Sequence, residues 1–345
     1  MTGPRAAKEE LEEKLAVLIG QPVGSRGVSV APDPVNQPMI RHWAAAFEDT
    51  NPVYTDPERA ARSRFGGIVA PPLMLQTWTM ATPTITGIAE RGGSPVETEG
   101  PGPLAVLDDA GYVGTLATNS QFEIFRYLRL GDVVSAASTF ESVSEEKQTR
   151  LGPGRFVTWT TVYTDEADEV VGRQRFTILK FKPEGAPRMS RPSRTVDGTV
   201  RSTTLTSDAI GVSDELPAMR IEVTATVIVA GAIATRDFMP VHHDRTYANG
   251  QGAPDIFMNI LSDSAYCSRF LTDWAGPDAM VKRLAIRLGV PMFPGSTLLY
   301  TGRVTARQER DKEGIVQVEF RAVNDLGEHL RGTAEVGLPS RPPLG

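Results

Sequence analysis

The chain states one pattern twice. Residues Asp49-Thr50-Asn51-Pro52-Val53-Tyr54-Thr55-Asp56 return as Asp237-Phe238-Met239-Pro240-Val241-His242-His243-Asp244, an offset of 188 that also carries Ile68 onto Ile256 and Leu73 onto Leu261. A register held without a gap over such a stretch predicts two copies of one module. Leu130-Gly131-Asp132 and Pro294-Gly295-Ser296 each open a β-rich tail, so the copies share their second parts as well. The copies differ in chemistry at one place: the residue after the shared Val is Tyr54 in the first and His242 in the second.

A length of 345 residues suits two domains, each large enough to bury a core. The net charge of −6 and the scatter of Lys and Arg argue against a nucleic-acid surface. Cys267 is the single cysteine, which excludes an intramolecular disulfide and a cysteine-built zinc site and suits a reducing cytoplasm. The charged start, with Lys8, Glu9, Glu10, Glu12, Glu13 and Lys14, has no signal-peptide core, and the longest apolar stretch, 221–234, contains Glu222 and several threonines. A cytoplasmic protein without a membrane partner is expected.

The coarse plan is α+β. Residues 4–19 read as an amphipathic helix, part of an extension over 1–29, with Leu11, Leu15 and Leu18 on one stripe. The first module spans 30–182: a short helix at 41–48 delivers Asp49, and a second starts at Pro71-Pro72, where missing N–H groups cost nothing. Residues 91–120, rich in Gly and Pro, are expected to form an inserted loop, and alternating runs at 133–143, 155–163 and 170–181 predict an antiparallel meander. Residues 183–213 lose apolar periodicity and read as a linker. The second module, 214–340, predicts a strand at 221–229, a helix at 254–274, and strands at 282–288, 297–308, 314–323 and from 329 to 338. One helix wrapped by an antiparallel sheet is thus made twice, and the two sheets are expected to pair, since each alone exposes an edge.

Asp237 and His242 flank a proline in a segment too irregular for one helix. A carboxylate and an imidazole held together can grip one water between them, one as acceptor and the other as donor or base. An Asp with a His five residues on is common by chance, so the bare pair is weak and its context decides.

That context resembles the hydratase-2 motif of the MaoC-like enoyl-CoA hydratases, Gly-Asp-x-Asn-Pro-(Ile/Val/Leu)-His with a small residue six further on. Asp237, Pro240, Val241, His242 and Ala248 match it; Arg236 replaces the Gly and Met239 the Asn. The first module keeps Asp49, Asn51, Pro52 and Val53 but has Tyr54 for the histidine. The segments Ala234-Thr235-Arg236-Asp237-Phe238, Thr272-Asp273-Trp274-Ala275-Gly276-Pro277 and Arg287-Leu288-Gly289-Val290-Pro291 are similar to the catalytic small subunit of actinobacterial steroid side-chain enoyl-CoA hydratases. The resemblance implies a double hot-dog fold, a fusion of a silent and a catalytic hot dog, water addition to an enoyl-CoA with a bulky acyl group, and a (3R)-hydroxyacyl-CoA product. It implies no metal or organic cofactor. Its implied partners are the acyl-CoA substrate, a second copy forming a homodimer of double hot dogs, and a thiolase-like aldolase or OB-fold protein, although the zinc-ribbon and OB-fold region of the large partner has no counterpart in this chain.

Within that chemistry, charge develops on the thioester oxygen, and an N–H at a helix N-terminus is suited to receive it. The position that the family gives to Gly is Asn259, which has an amide hydrogen; its counterpart in the first module is Pro71, which has none. One active site is therefore expected, with Asp237 and His242 positioning and activating water and the Asn259 amide holding the enolate. Which of the two side chains takes the proton stays open. Lys282, Arg283 and Arg287 are candidates for the phosphates of coenzyme A, against the plainer reading of a solvated strand face. His243 is read as a neighbour, His42 and His329 as surface or packing residues, Asp49 as a relic that caps its turn, and Tyr54 as core. Rival functions are a 3-hydroxyacyl-thioester dehydratase of fatty-acid synthesis and a non-catalytic acyl-CoA-binding or scaffolding subunit. Two prolines at the head of the first module's helix and Thr82-Pro83-Thr84 beyond it predict an interrupted helix that leaves room for a fused-ring acyl group.

Overall fold

The computed structural model describes residues 4–23, 27–95, 102–183, 200–310 and 313–339. Among them the first module supplies strands β1 (Val28–Val30), β2 (Gly114–Ile124), β3 (Ser135–Val143), β4 (Lys147–Thr149), β5 (Gly152–Thr164) and β6 (Val170–Phe181). The second supplies β7 (Glu215–Val223), β8 (Met280–Leu288), β9 (Ser296–Arg310), β10 (Glu313–Asn324) and β11 (Gly327–Pro339). All join one antiparallel sheet in the order β1-β3-β5-β6-β2-β8-β11-β10-β9-β7, with β4 beside β5. The seam is β2 against β8, from Asn119↔Arg287 to Glu123↔Arg283. Pairing there removes the open edge each half would have alone.

The repeat holds in the backbone that leads into the motif. Helices α2 (Gln37–Ala46) and α7 (Ala225–Ala234) stand at the offset of 188 residues, capped by Asn36, which accepts from the Met39 amide, and by Thr224, which accepts from Val227. Two residues past each helix, Glu48 (φ 49°) and Arg236 (φ 59°) take the left-handed conformation. The next amides, of Asp49 and Asp237, donate back to Ala44 and Ala232. The position that carries Gly in the motif therefore needs a positive φ, and both modules meet that need with a side chain at some cost.

Three expectations change. The strand expected at 221–229 ends at Val223, because the Thr224 side chain caps a helix through the β-branched run Val227-Ile228-Val229. The helix expected from 254 begins at 260: α9 (Ile260–Ala275) is capped by the Asn259 side chain, and the Met258 amide donates to Met292 instead. The inserted stretch 91–120 includes α6 (Pro103–Asp109) and the start of β2, and so supplies the seam strand. Of the expected linker, 184–199 lies outside the described residues, while Arg201 and Leu205 donate to the carbonyls of Asp273 and Ala275 at the end of α9.

The central helices are unequal. In the second module α9 runs sixteen residues, fourteen of them buried. Its counterpart is a 3₁₀ turn, Pro72–Met74, followed by α5 (Leu75–Trp78). Interruption was expected, but the vacated sheet is covered. Along β6 one face carries Gly172, which abuts Leu75, and Gln174, bonded to Gln76; further along it carries Ile178 and Lys180. Over the latter sit α1 (Pro4–Leu18) and α6, which bury Leu15, Leu107 and Tyr112 against Phe140, Val157 and Ile178. Lys180 pairs with Asp108, and the buried Arg155 with Glu12, so two cations hold the cover down.

Across the halves α2 packs on α7 and α9 on the 3₁₀ turn. The Phe47 ring meets Tyr266 edge-on at 5.2 Å. A Cβ on Gly231 would strike Ser262, so that glycine sets how closely α7 approaches α9.

Candidate active site

Asp237 and His242 are brought together. Asp237 leaves α7 through the left-handed Arg236; Pro240–His242 then form a 3₁₀ turn that swings the imidazole back, to His242 Nε2 3.4 Å from Asp237 Oδ2. Both side chains are largely buried. His242 Nδ1 lies 2.7 Å from the Phe257 carbonyl, which fixes Nδ1 as the protonated nitrogen and leaves Nε2 turned toward the carboxylate. The Phe257 ring stands edge-on to the imidazole at 5.2 Å and in turn meets Phe293.

The carboxylate is held as firmly. Asn259 Nδ2 donates to Asp237 Oδ2 and to Thr235 Oγ1, both at 2.9 Å, while Asn259 Oδ1 accepts from Ser262 and caps α9. The Met239 amide reaches Asp237 Oδ1 at 3.3 Å. Burial alone would push Asp237 up, but His242, Asn259 and Met239 hold it below the ordinary carboxylate range. Burial would likewise lower His242, and the charge of Asp237 with the Phe257 carbonyl outweighs it and raises the imidazole. An ionised carboxylate beside a readily protonated imidazole is the result. Among the described residues the Asn259 amide has no acceptor, and it points from the cap of a sixteen-residue helix.

Sequence reasoning placed Asn259 by its backbone and missed its side chain, which is what holds Asp237. Thr235 and Phe257 were missed too. Of the two readings for His329, surface or packing, the structure shows packing: it is 2% exposed, with Nε2 2.8 Å from Asp263 Oδ1 and Nδ1 2.6 Å from the Val290 carbonyl. Both ring nitrogens face acceptors, and although burial opposes it, Asp263 raises the imidazole above its ordinary value. This second pair ties the first turn of α9 to the 289–293 loop, whose Met292 carbonyl receives the Met258 amide next to Phe257. His243 contacts the Phe238 carbonyl at its rim, and His42 is exposed.

The basic candidates are not gathered at this centre. Lys282 pairs with Glu313 and Arg283 with Glu123 and Glu335, while Arg287 faces out from β8. The insertion does reach the site. Gly93 has φ +86°, and a Cβ there would lie 2.7 Å from Tyr247 Oη and 3.5 Å from Met239 Cε, so the first module closes against the loop that carries Asp237.

In the first module the same backbone carries different chemistry. Asp49 Oδ1 accepts from the Asn51 amide, as a turn cap does, but Tyr54 is fully buried and Pro71 occupies the place of Asn259. Burial pushes Asp49 up to about 6, with Asp273 adding to the rise and the Asn51 amide and Arg269 opposing it only in part.

The beta subunit of the Mycobacterium tuberculosis 3-oxo-4,17-pregnadiene-20-carboxyl-CoA hydratase is 43% identical over 123 residues, 36% of this chain and 92% of that one. The chain belongs to the MaoC-like enoyl-CoA hydratases. The alpha subunit of the same enzyme is 40% identical over 179 residues, 52% of this chain and 54% of its own, and a probable enoyl-CoA hydratase alpha subunit of Thermomonospora curvata is 41% identical over 194 residues, 53% and 58%. This MaoC-like chain thus spans about half the length of those alpha subunits. A family profile described as a FAS1-like dehydratase domain region matches residues 23–174. A solved MaoC-like dehydratase superposes over 94% of this chain and 99% of its own with a TM-score of 0.70 at 23% identity, and an M. tuberculosis protein described as a double hot dog over 93% and 96% with 0.60 at 13%; these show the fold. The double hot dog expected from the motif is the observed architecture.

Proposed function

We propose that this MaoC-like chain hydrates an enoyl-CoA at one site, in its second module. The observation that carries the reading is the 3.4 Å gap between Asp237 Oδ2 and His242 Nε2, with each side chain anchored from behind by Asn259 and Phe257. Such a gap suits one water held by both groups. Its oxygen bonds to the β-carbon while one O–H bond breaks toward the Asp237/His242 pair; the π electrons move to the thioester oxygen, beside the Asn259 amide, and the proton returns at the α-carbon. No cofactor enters this sequence. The first module serves as a wall, through Gly93 at Tyr247 and Met239.

The acyl group proposed is a steroid side-chain ester, from the relatives named for a pregnadiene-carboxyl-CoA. With α1 and α6 over the vacated sheet, room for it must come from the space between the modules and not from an open groove along β6. Relatives named as alpha and beta subunits support a paired assembly, which one chain here supplies within itself; association as a homodimer, or with a thiolase-like aldolase or OB-fold protein, extends the same reading. The test is the loss of enoyl-thioester absorbance when the protein meets a steroid enoyl-CoA, crotonyl-CoA or octenoyl-CoA. A kcat/KM far higher for the steroid supports the full reading; a preference for the short linear ester removes the steroid and leaves hydration, and no loss with any of them removes hydration.

A further inference from the structure

The outer face of the second module's sheet holds a row of arginines. Arg321 lies directly opposite Arg331, Arg331 opposite Arg287, and the row ends on Asn119 to one side and Thr301 to the other. Residues directly opposite in antiparallel strands share a face, so three guanidiniums are carried on adjacent strands over a span of about 10 Å. All three side chains are exposed. Like charges so placed repel, and the rest of this face avoids that arrangement. Two residues along, Arg303 lies between Glu215 and Glu319, and two further on Arg283 lies between Glu335 and Glu123. In the arginine row the one acid is Glu328, 3.1 Å from Arg331, and among the described residues Arg287 and Arg321 have no carboxylate partner. The row lines a groove of about 1080 Å³ with Gln121 and Thr333 beside it, and Arg303 and the carboxylates of Glu215, Glu319 and Glu328 at its margin. That volume lies just above the range of about 300–1,000 Å³ usual for small-molecule sites.

We infer that this row is a binding site for a ligand bearing two or more phosphate groups. A line of planar guanidiniums matches successive phosphates, each able to take a bidentate contact, and the flanking amides and hydroxyls suit a sugar or further phosphate oxygens. The site is on the opposite face of the sheet from α9, at whose head Asp237 and His242 stand. The same chemistry has two sources, the nucleotide end of coenzyme A and a free nucleotide. Binding is read without an enoyl substrate, so its failure is separate from failure of the hydration reading.

The test is calorimetric titration of the full chain with adenosine 3′,5′-bisphosphate, beside adenosine as control and beside the triple variant Arg287→Gln/Arg321→Gln/Arg331→Gln. The expected result is one bisphosphate per chain at low salt, no adenosine binding, and affinity lower by about tenfold or more in the triple variant. The variant should melt no lower than the wild type, since it removes repulsion from an exposed face. Absence of bisphosphate binding by the wild type, or equal binding by a folded triple variant, overturns the proposal. The two sources separate in steady-state hydration: a KM raised for the coenzyme A ester but not for the pantetheine ester assigns the row to the substrate's own head, and an unchanged KM with lost bisphosphate binding assigns it to a free nucleotide.

Discussion

Asp49 and Asp237 occupy one position in two copies of one backbone, and burial treats them alike; their partners do not. Asp237 has an imidazole and two donors in reach and lies below the ordinary carboxylate range, whereas Asp49 has a single turn amide and is pushed up to about 6. The backbone of the motif, with its left-handed residue, its return hydrogen bond and its capped turn, is therefore a structural device that survives without chemistry. What distinguishes the second copy is two side chains, His242 for Tyr54 and Asn259 for Pro71, and a long helix in place of a broken one.

If that comparison is right, the largest loss comes from removing the imidazole. His242→Ala should lower kcat/KM for hydration by about 10²- to 10⁴-fold with the fold intact, while Tyr54→Phe stays within about twofold. A large loss from Tyr54→Phe, measured in the same absorbance assay, would mean that the first module is not silent. Next in size, Asn259→Ala frees the Asp237 carboxylate and uncaps α9; the expected result is a drop of roughly tenfold or more in kcat together with about 1 kcal/mol of stability in urea. A variant that loses stability and keeps full kcat would reduce Asn259 to a cap.

The buried His329–Asp263 pair sharpens the comparison from the side of stability. Removing one partner of such a pair, as in His329→Ala, should cost about 3 kcal/mol. Because the folded imidazole is raised above 6.5, the stability it contributes is fully present below that pH and fades as pH rises through the folded value. Melting curves from pH 5 to 9 should thus show the wild type losing its advantage over His329→Gln on the alkaline side; parallel curves would contradict the assignment. The smallest effect is a gain. A folded value of about 6 for Asp49 against 3.8 unfolded means that its charge destabilises the fold near pH 7, so Asp49→Asn should stabilise there by roughly 1–3 kcal/mol, and the gain should vanish below about pH 4, where both states are protonated.

The repeat made most of this legible. An offset of 188 residues, read from eight aligned positions, places both turns correctly, because each turn residue is needed by the backbone itself. The closeness of Asp237 and His242 was legible for the same reason: Pro240 and the turn after it set the spacing between them. Less visible was anything decided by caps and by distance along the chain. Thr224 turned an apolar β-branched run into α7, which a reading by residue composition takes for a strand. The 3.6 period of 254–274 hid the cap at Asn259. The Asn259 side chain on Asp237 and the pairing of His329 with Asp263 join residues 22 and 66 apart, which no local pattern announces. The broken first helix was readable from its prolines, but not that α1 and α6 would fill the sheet behind it, since that depends on Arg155 and Lys180 facing inward.

The central claim is that one backbone device, present twice, is an active site once. Asp237→Asn and Asp49→Asn, prepared as otherwise identical proteins and assayed on one enoyl-CoA, test it most directly, since each exchange keeps shape and removes one charge from the same position of the repeat. The account predicts a loss of about a hundredfold or more for Asp237→Asn and less than about twofold for Asp49→Asn. Equal losses from the two, or a greater loss from Asp49→Asn, would contradict it.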